Sequence, residues 1–373
     1  MLIKILKILA LVSFLSFIYE HTFDRNYFNY DSVPYVASAY MLSGHDSDRS
    51  HAYAWNLLKE KAHPSVFNNL CCATSYRKSM SSSSEAFESH LPSYQTKSLY
   101  IYLIRLVSDL FNIDEFSSLK WISFGSAVIL TLVSCIFFFN VQLMIYLCIF
   151  PILFLMQIIP ISRLLTPDSL NALIFVGACF SFLKNKKMLG HLLLLGSILV
   201  RQTNIIFYLA FISLELREKK FIKFFVMSTL GLMLYWLNSE YFESIGYWST
   251  YVSSLIKMPD TFIGFDPTFD TSIFFKTLLA KIDWMLGDSN LNRLLSLMSI
   301  NLLVCLYFFI FGAQEVAKNA LVPLIYICCS IISYLLIPFP DFRIYSGHLI
   351  ASSLALLFFL SIEDNTNKPN KSP

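Results

Sequence analysis

Lys184-Asn185-Lys186-Lys187 and Arg217-Glu218-Lys219-Lys220 bracket two apolar runs, 188–200 and 204–216, that meet at Arg201-Gln202-Thr203. A bilayer crossing needs about 20 predominantly apolar residues, and each run is well short of that. One continuous helix with a buried arginine would set the two basic clusters on opposite sides of a membrane, against the bias that collects Lys and Arg on the cytoplasmic side. Two half-length helices meeting at a polar point at or near the outer face keep both clusters inside. This broken pair sets the direction of every span before and after it.

Composition agrees with a chain that lives in lipid. Of 373 residues, 56% are hydrophobic, 16% aromatic and only 14% charged, with a mean hydropathy of +0.59. Soluble domains carry roughly a quarter charged residues, so an all-α polytopic membrane protein is expected. A net charge of +3 is too small to suggest nucleic acid as a partner, and membrane orientation accounts for the basic residues. Among the eight cysteines, Cys135, Cys148, Cys179, Cys305, Cys328 and Cys329 fall in apolar spans and read as small buried hydrophobes. Only the adjacent Cys71 and Cys72 lie in a polar loop, and the set forms no framework. The scattered His21, His45, His51, His63 and His90 lack metal-ligand spacing. No metal and no cofactor is assigned; a divalent metal is compatible with the chain but nothing indicates one.

The chain reads as a single integral membrane domain over 1–373. Residues 1–19 form an uncleaved first helix: Lys4 and Lys7 mark its cytoplasmic end, and Glu20-His21-Thr22-Phe23-Asp24 offers no small-residue cleavage signal. Residues 20–118 are then an outer loop, polar and too long for a simple connector. Within it, 79–84 is a mobile serine-rich patch, and 99–111 is too short to span and lies along the interface. Helices follow over 119–238, at 119–138, 141–161, 168–183, the broken pair and 222–238. A second outer loop occupies 240–293. The last three helices run over 294–361, and a cytoplasmic tail with Lys368 and Lys371 over 362–373. The total is about ten crossings.

Asn29-Tyr30-Asp31-Ser32-Val33-Pro34-Tyr35 opens the first outer loop. Asp31 or Ser32 can cap a helix whose first turn holds Pro34, with Gly44 as a stop, and a carboxylate there faces the positive end of the helix dipole. From this stretch alone Asp31 is equally well a cap or a base. Other charges that a span would avoid fall on the same outer side: Arg163, Asp168, Arg201, Asp341 and Arg343, with Lys97 in the loop. Each costs about 2.5–3.5 kcal/mol at membrane depth, so such residues are usually kept for a reason. A carboxylate near fixed cations suits transfer from a phosphate-linked donor, which needs a base for the acceptor hydroxyl and positive charge for the departing phosphate. The structural alternative pairs Arg163 with Asp168 and Asp341 with Arg343 as ion-paired helix ends.

These residues carry a resemblance. The chain resembles the GT-C superfamily of integral membrane glycosyltransferases that use polyprenyl-phosphate sugars. Asp31, Tyr35 and Ala39 match that superfamily's acidic residue, Tyr and small residue shortly after the first helix. Where relatives often have an acidic pair, Ser32 stands beside Asp31, which keeps Asp24 as a reserve base. His90-Leu91-Pro92-Ser93-Tyr94-Gln95-Thr96-Lys97 is similar to the later part of the same loop. Arg201-Gln202-Thr203-Asn204-Ile205-Ile206 and Asp341-Phe342-Arg343 are similar to segments of the endoplasmic-reticulum family that adds the terminal α-1,2-glucose to dolichol-linked oligosaccharide. The resemblance implies a GT-C-like fold, Asp31 as general base, and Arg201, Arg343 and Lys97 on the donor phosphate. Tyr35, Arg163, Asp168, Asp341 and Asp24 are then supporting residues. It also implies a polyprenyl-phosphate-linked sugar donor, a glycan or lipid-linked acceptor and contact with membrane lipids.

Two other classes compete. An O-antigen polymerase or ligase also has many spans and a large outer loop, but would carry its arginines in that loop. A transporter would show two related halves with matching broken helices; a membrane scaffold is the other non-enzymatic reading. The lone Asn-x-Ser/Thr sequon, Asn370-Lys371-Ser372, falls on the expected inner tail. That favours a bacterial inner membrane with a periplasmic active face over the luminal face of the endoplasmic reticulum.

Overall fold

A backbone taken out of water must satisfy its N–H and C=O groups within its own segment, so the apolar runs fold as helices. The computed structural model describes residues 1–23, 28–312, 314–339 and 341–366, and among them only helices, turns and loops occur. The chain begins with α1 (Leu2–Phe23). The first loop holds α2 (Ser32–Met41), α3 (Ser47–Lys61), α4 (Pro64–Cys72), α5 (Ser75–Ser82), α6 (Ser84–His90), α7 (Pro92–Gln95) and α8 (Ser98–Phe111). The bundle continues with α9 (Glu115–Phe137), α10 (Leu143–Leu147), α11 (Ile149–Leu155), α12 (Ile158–Arg163) and α13 (Asp168–Leu183). Then come α14 (Lys187–Ile198), α15 (Ile205–Arg217) and α16 (Phe221–Tyr241). The second loop carries α17 (Tyr247–Leu255) and α18 (Thr271–Gly287), before α19 (Ser289–Phe311), α20 (Gln314–Asn319), α21 (Leu321–Leu336) and α22 (Phe342–Thr366). Five of these, α1, α9, α16, α19 and α22, are long and apolar enough to cross a membrane. They fit an integral membrane protein.

Contacts between residues distant in the chain give the bundle two distinct ends. Lys7 donates to the Phe139 carbonyl (2.7 Å) beyond the end of α9, while Thr22 at the other end of α1 meets Ser162 of α12 at 2.9 Å. Asn204 donates to the Asn171 amide oxygen (2.7 Å), joining the starts of α15 and α13. At the opposite end, His191 and Lys223 approach Glu215 at 3.1 and 2.7 Å. One end is therefore basic, with Lys184, Lys186, Lys187, Lys220 and Lys223; both long loops attach at the other.

The break at Arg201 is present as read: α14 ends at Ile198, Arg201 is extended at φ −150° and ψ 121°, and α15 starts at Ile205. Elsewhere several boundaries differ from the expectations. The first helix runs on to Phe23. The serine-rich 79–84 belongs to α5 and α6, where the Thr74 and Ser83 hydroxyls accept from the N–H groups of Arg77 and Ala86, both at 3.2 Å, and cap the two helices. The run 141–161 is three short helices, with Gln157 in the left-handed region at φ 65°. Pro151 and Pro160 each fall in the first turn of their helix, where a missing N–H costs nothing. Cys71 and Cys72 are joined by a disulfide bond; the other six cysteines are free, with Cys148 and Cys328 exposed rather than buried as expected. Asp24, Lys368, Lys371 and the Asn370 sequon lie outside the described residues.

The first loop is a helical cap with its own core. Val33, Val36, Trp55, Leu58, Phe87 and Ile104 are buried in it, against Phe116 of α9, which holds α2 rigid above the bundle. In the bundle, α22 packs against α13, α19 and α21. A Cβ at Gly347 would lie 2.8 Å from the Ala172 Cα, so glycine alone permits this approach of α22 to α13. That contact sets Arg343 beside Asp168 and His348 beside Phe175.

Candidate functional site

Asp31 occupies the N-cap position of α2 but does not cap it. Its backbone is helical, at φ −57° and ψ −27°, and its side chain makes no cap hydrogen bond. Asn29 does that work: its side-chain oxygen accepts from the Ser32 N–H at 3.1 Å, and its carbonyl accepts from the Ser32 hydroxyl at 2.6 Å. The Asp31 carboxylate is thereby released to other partners. One oxygen accepts from the Tyr94 hydroxyl (3.1 Å) and the other from Arg343 (3.2 Å). Burial, seconded by the Asp31 charge, pushes the Tyr94 phenol well above its ordinary range, so it stays a donor.

Three cations gather around this carboxylate. Arg343 also reaches Asp341 at 2.6 Å and Asp168 at 3.9 Å. Arg201 pairs with Asp168, whose second oxygen accepts from Thr166 at 2.7 Å. The expected Arg163–Asp168 pair is therefore replaced by Arg201–Asp168, and Arg163 borders a separate cleft with Lys61, Lys120 and Trp121. Asp341 does pair with Arg343, and it also accepts from the Arg343 N–H (3.1 Å) at the start of α22. Lys97 differs from both arginines. Among the described residues no carboxylate lies within ion-pair distance of it; it donates to the Ser93 carbonyl (3.4 Å) and stands over the rings of Tyr94 and Tyr35, at 4.7 and 5.1 Å from their centroids.

Asp31, Tyr35, Lys97, Arg201 and Arg343 all border one cavity of about 300 Å³. Its walls come from both loops and from α21 and α22. The first loop is clamped to the bundle at this point: Asn238 of α16 donates to the Thr96 carbonyl (2.7 Å) and accepts from Ser98 (2.7 Å), and the Leu99 N–H donates to the Leu199 carbonyl (3.1 Å). The second loop closes over the first, with the Phe262 N–H donating to Ser89 (3.0 Å) and the Phe262 ring 4.8 Å from that of His90. No family model, curated protein or solved structure matches this chain.

Sequence reasoning gave no individual role to the groups that complete these walls. His90 is buried, pushed down to about 3 by that burial, and so neutral; its ring meets the Tyr76 hydroxyl at 2.6 Å. Ser333 and His348 also line the cavity and, as single polar residues in apolar runs, carry no motif; Thr166 lines it too, as does Asn204 from the quoted segment 201–206. Among the described residues no group of three or more His, Cys, Asp or Glu side chains is placed to share a metal ion.

Lys97 is the cation of the site whose charge is expected to change in mildly alkaline solution. Burial pushes its ammonium down to about 8; Asp31 opposes the shift, and Arg201 and Arg343 add to it. The charge is present below that pH and lost above it. Affinity for a phosphate monoester is therefore expected to fall as pH rises through about 8, and to stay level to higher pH in Lys97→Arg, whose guanidinium does not titrate there. Titration calorimetry of purified protein across that range checks it. Identical profiles for the two proteins would remove Lys97 from anion binding.

Proposed function

We propose that this chain is a membrane glycosyltransferase of GT-C type, with about ten crossings, that moves a sugar from a polyprenyl-phosphate donor to a glycan or lipid-linked acceptor at the outer face. The observation that carries the reading is the convergence of Asp31, Lys97, Arg201 and Arg343 on one cavity, from segments separated by most of the chain. Asp31 takes the proton of the acceptor hydroxyl as that oxygen bonds to the anomeric carbon. The bond from that carbon to the phosphate oxygen breaks, and the electron pair leaves with the polyprenyl phosphate. Lys97, Arg201 and Arg343 stabilise the charge that develops there. Lys97 is best suited to this task, since it alone of the three has no carboxylate partner among the described residues.

The direct test supplies purified protein in vesicles with a synthetic polyprenyl-phosphate hexose and a lipid-linked oligosaccharide acceptor. Acceptor-dependent release of polyprenyl phosphate is expected, and cells lacking the protein should accumulate the lipid-linked sugar. Intact donor across a panel of sugars and acceptors, with no accumulation in such cells, would sink the reading.

A further inference from the structure

The cavity has a second chemistry beside its charges. His348 is 4% exposed and borders the cavity, yet among the described residues neither of its ring nitrogens has a hydrogen-bond partner. The buried Ser333 hydroxyl, on the neighbouring α21, borders the same cavity and is also without one. Buried polar atoms are almost always paired in native structures, because leaving them unmade costs the fold free energy. The imidazole has no freedom to seek a partner elsewhere. Rings of Phe175 and Phe207 hold it at centroid distances of 4.6 and 4.1 Å, and Tyr345 stands at 6.4 Å.

We propose that His348 and Ser333 form a polyol subsite in this cavity, where they bind hydroxyl groups of the sugar carried by the donor; the inference rests on the glycosyltransferase reading. The chemistry of the two groups selects the ligand. A neutral imidazole offers one donor and one acceptor, and a serine hydroxyl offers a donor and two lone pairs. Adjacent sugar hydroxyls, each both donor and acceptor, match that set. A second phosphate or carboxylate would call for a cation of its own, whereas the cation nearest in charge to His348, Arg201, is already paired with Asp168, and a hydrocarbon would leave the polar atoms unpaired. Spacing fits as well. His348 follows Arg343 by five residues on α22, about 7.5 Å along the axis, so a group attached to a phosphate held at Arg343 reaches His348.

The test compares binding of polyprenyl phosphate and polyprenyl-phosphate hexose to full-length protein in nanodiscs. Wild type is expected to prefer the sugar-bearing lipid. His348→Phe fills the space and keeps the ring packing while removing both nitrogens; it should bind the sugar-free lipid as wild type does and lose about tenfold of the preference, one neutral hydrogen bond or so. His348→Asn should recover part of it. Should His348→Phe not accumulate, Ser333→Ala, which removes a single oxygen from a different helix, carries the same expectation. An unchanged preference in Ser333→Ala and in whichever His348 variant accumulates would overturn the subsite. Wild-type protein that binds neither lipid would overturn the glycosyltransferase reading itself, which is a different outcome.

Discussion

Asp31→Asn protein is expected to accumulate in the membrane at the wild-type level and to lose transfer by about 10²–10⁴-fold, the usual cost of removing a positioned base. The structure separates this loss from a folding defect, because the helix cap at α2 belongs to Asn29 and Ser32. An amide in place of the carboxylate keeps the volume and can still accept from Tyr94, whose hydroxyl lies 3.1 Å from Asp31. What it loses is the capacity to take a proton and the charge opposite Arg343. The deficit should therefore appear in kcat, with donor KM little changed. Asp24→Asn, the reserve candidate, should stay largely active. Transfer at the wild-type rate by Asp31→Asn would end the role of this residue as base, and loss in Asp24→Asn alone would move that role upstream.

How much of this was legible in the chain differs from segment to segment. The break at Arg201 was readable because the membrane sets a length standard that 188–200 and 204–216 both miss, and α14 and α15 end where the polar residues stand. The 141–161 run obscured its own breaks. Apolar content is all that a span reading weighs, whereas Pro151, Gln157 and Pro160 act on the backbone and divide the run into three helices. Within the site, Asp31, Lys97, Arg201 and Arg343 were readable one at a time because charge is expensive near lipid. Their pairing was not. Asp168 stands five residues after Arg163, and sequence proximity suggested that pair. The partner is Arg201, brought in by the contact between α13 and α14 and by the Asn171–Asn204 hydrogen bond. His348 was invisible for a related reason. A single histidine in an apolar run reads as a satisfied core residue, and only three dimensions reveal that both nitrogens are unsatisfied.

The Arg201–Asp168 pair yields the second large effect, in stability first and in activity only once stability is restored. The Asp168 side chain is 1% exposed and that of Arg201 18%, so taking away Asp168 strips Arg201 of its carboxylate, and taking away Arg201 leaves buried Asp168 only the longer 3.9 Å contact with Arg343. Breaking such a pair costs about 3–5 kcal/mol, whereas replacing both members together is often close to neutral. Asp168→Asn and Arg201→Gln are each expected to lower the amount of folded protein and its thermal midpoint sharply. The double variant, an amide facing an amide, should recover most of that loss, since Thr166 can still donate to the residue at 168. Activity should not recover with it. A charged hydrogen bond to phosphate is worth about 1.5–3 kcal/mol, so the stable double variant should bind polyprenyl phosphate roughly ten- to a hundredfold more weakly. Arg343 remains in that protein, still held by Asp31 and Asp341, which limits the loss to one cation. A double variant that is stable and binds the lipid phosphate as tightly as wild type would confine Arg201 to holding α13 and α15 together, and the grip on the phosphate would pass to Lys97 and Arg343 alone.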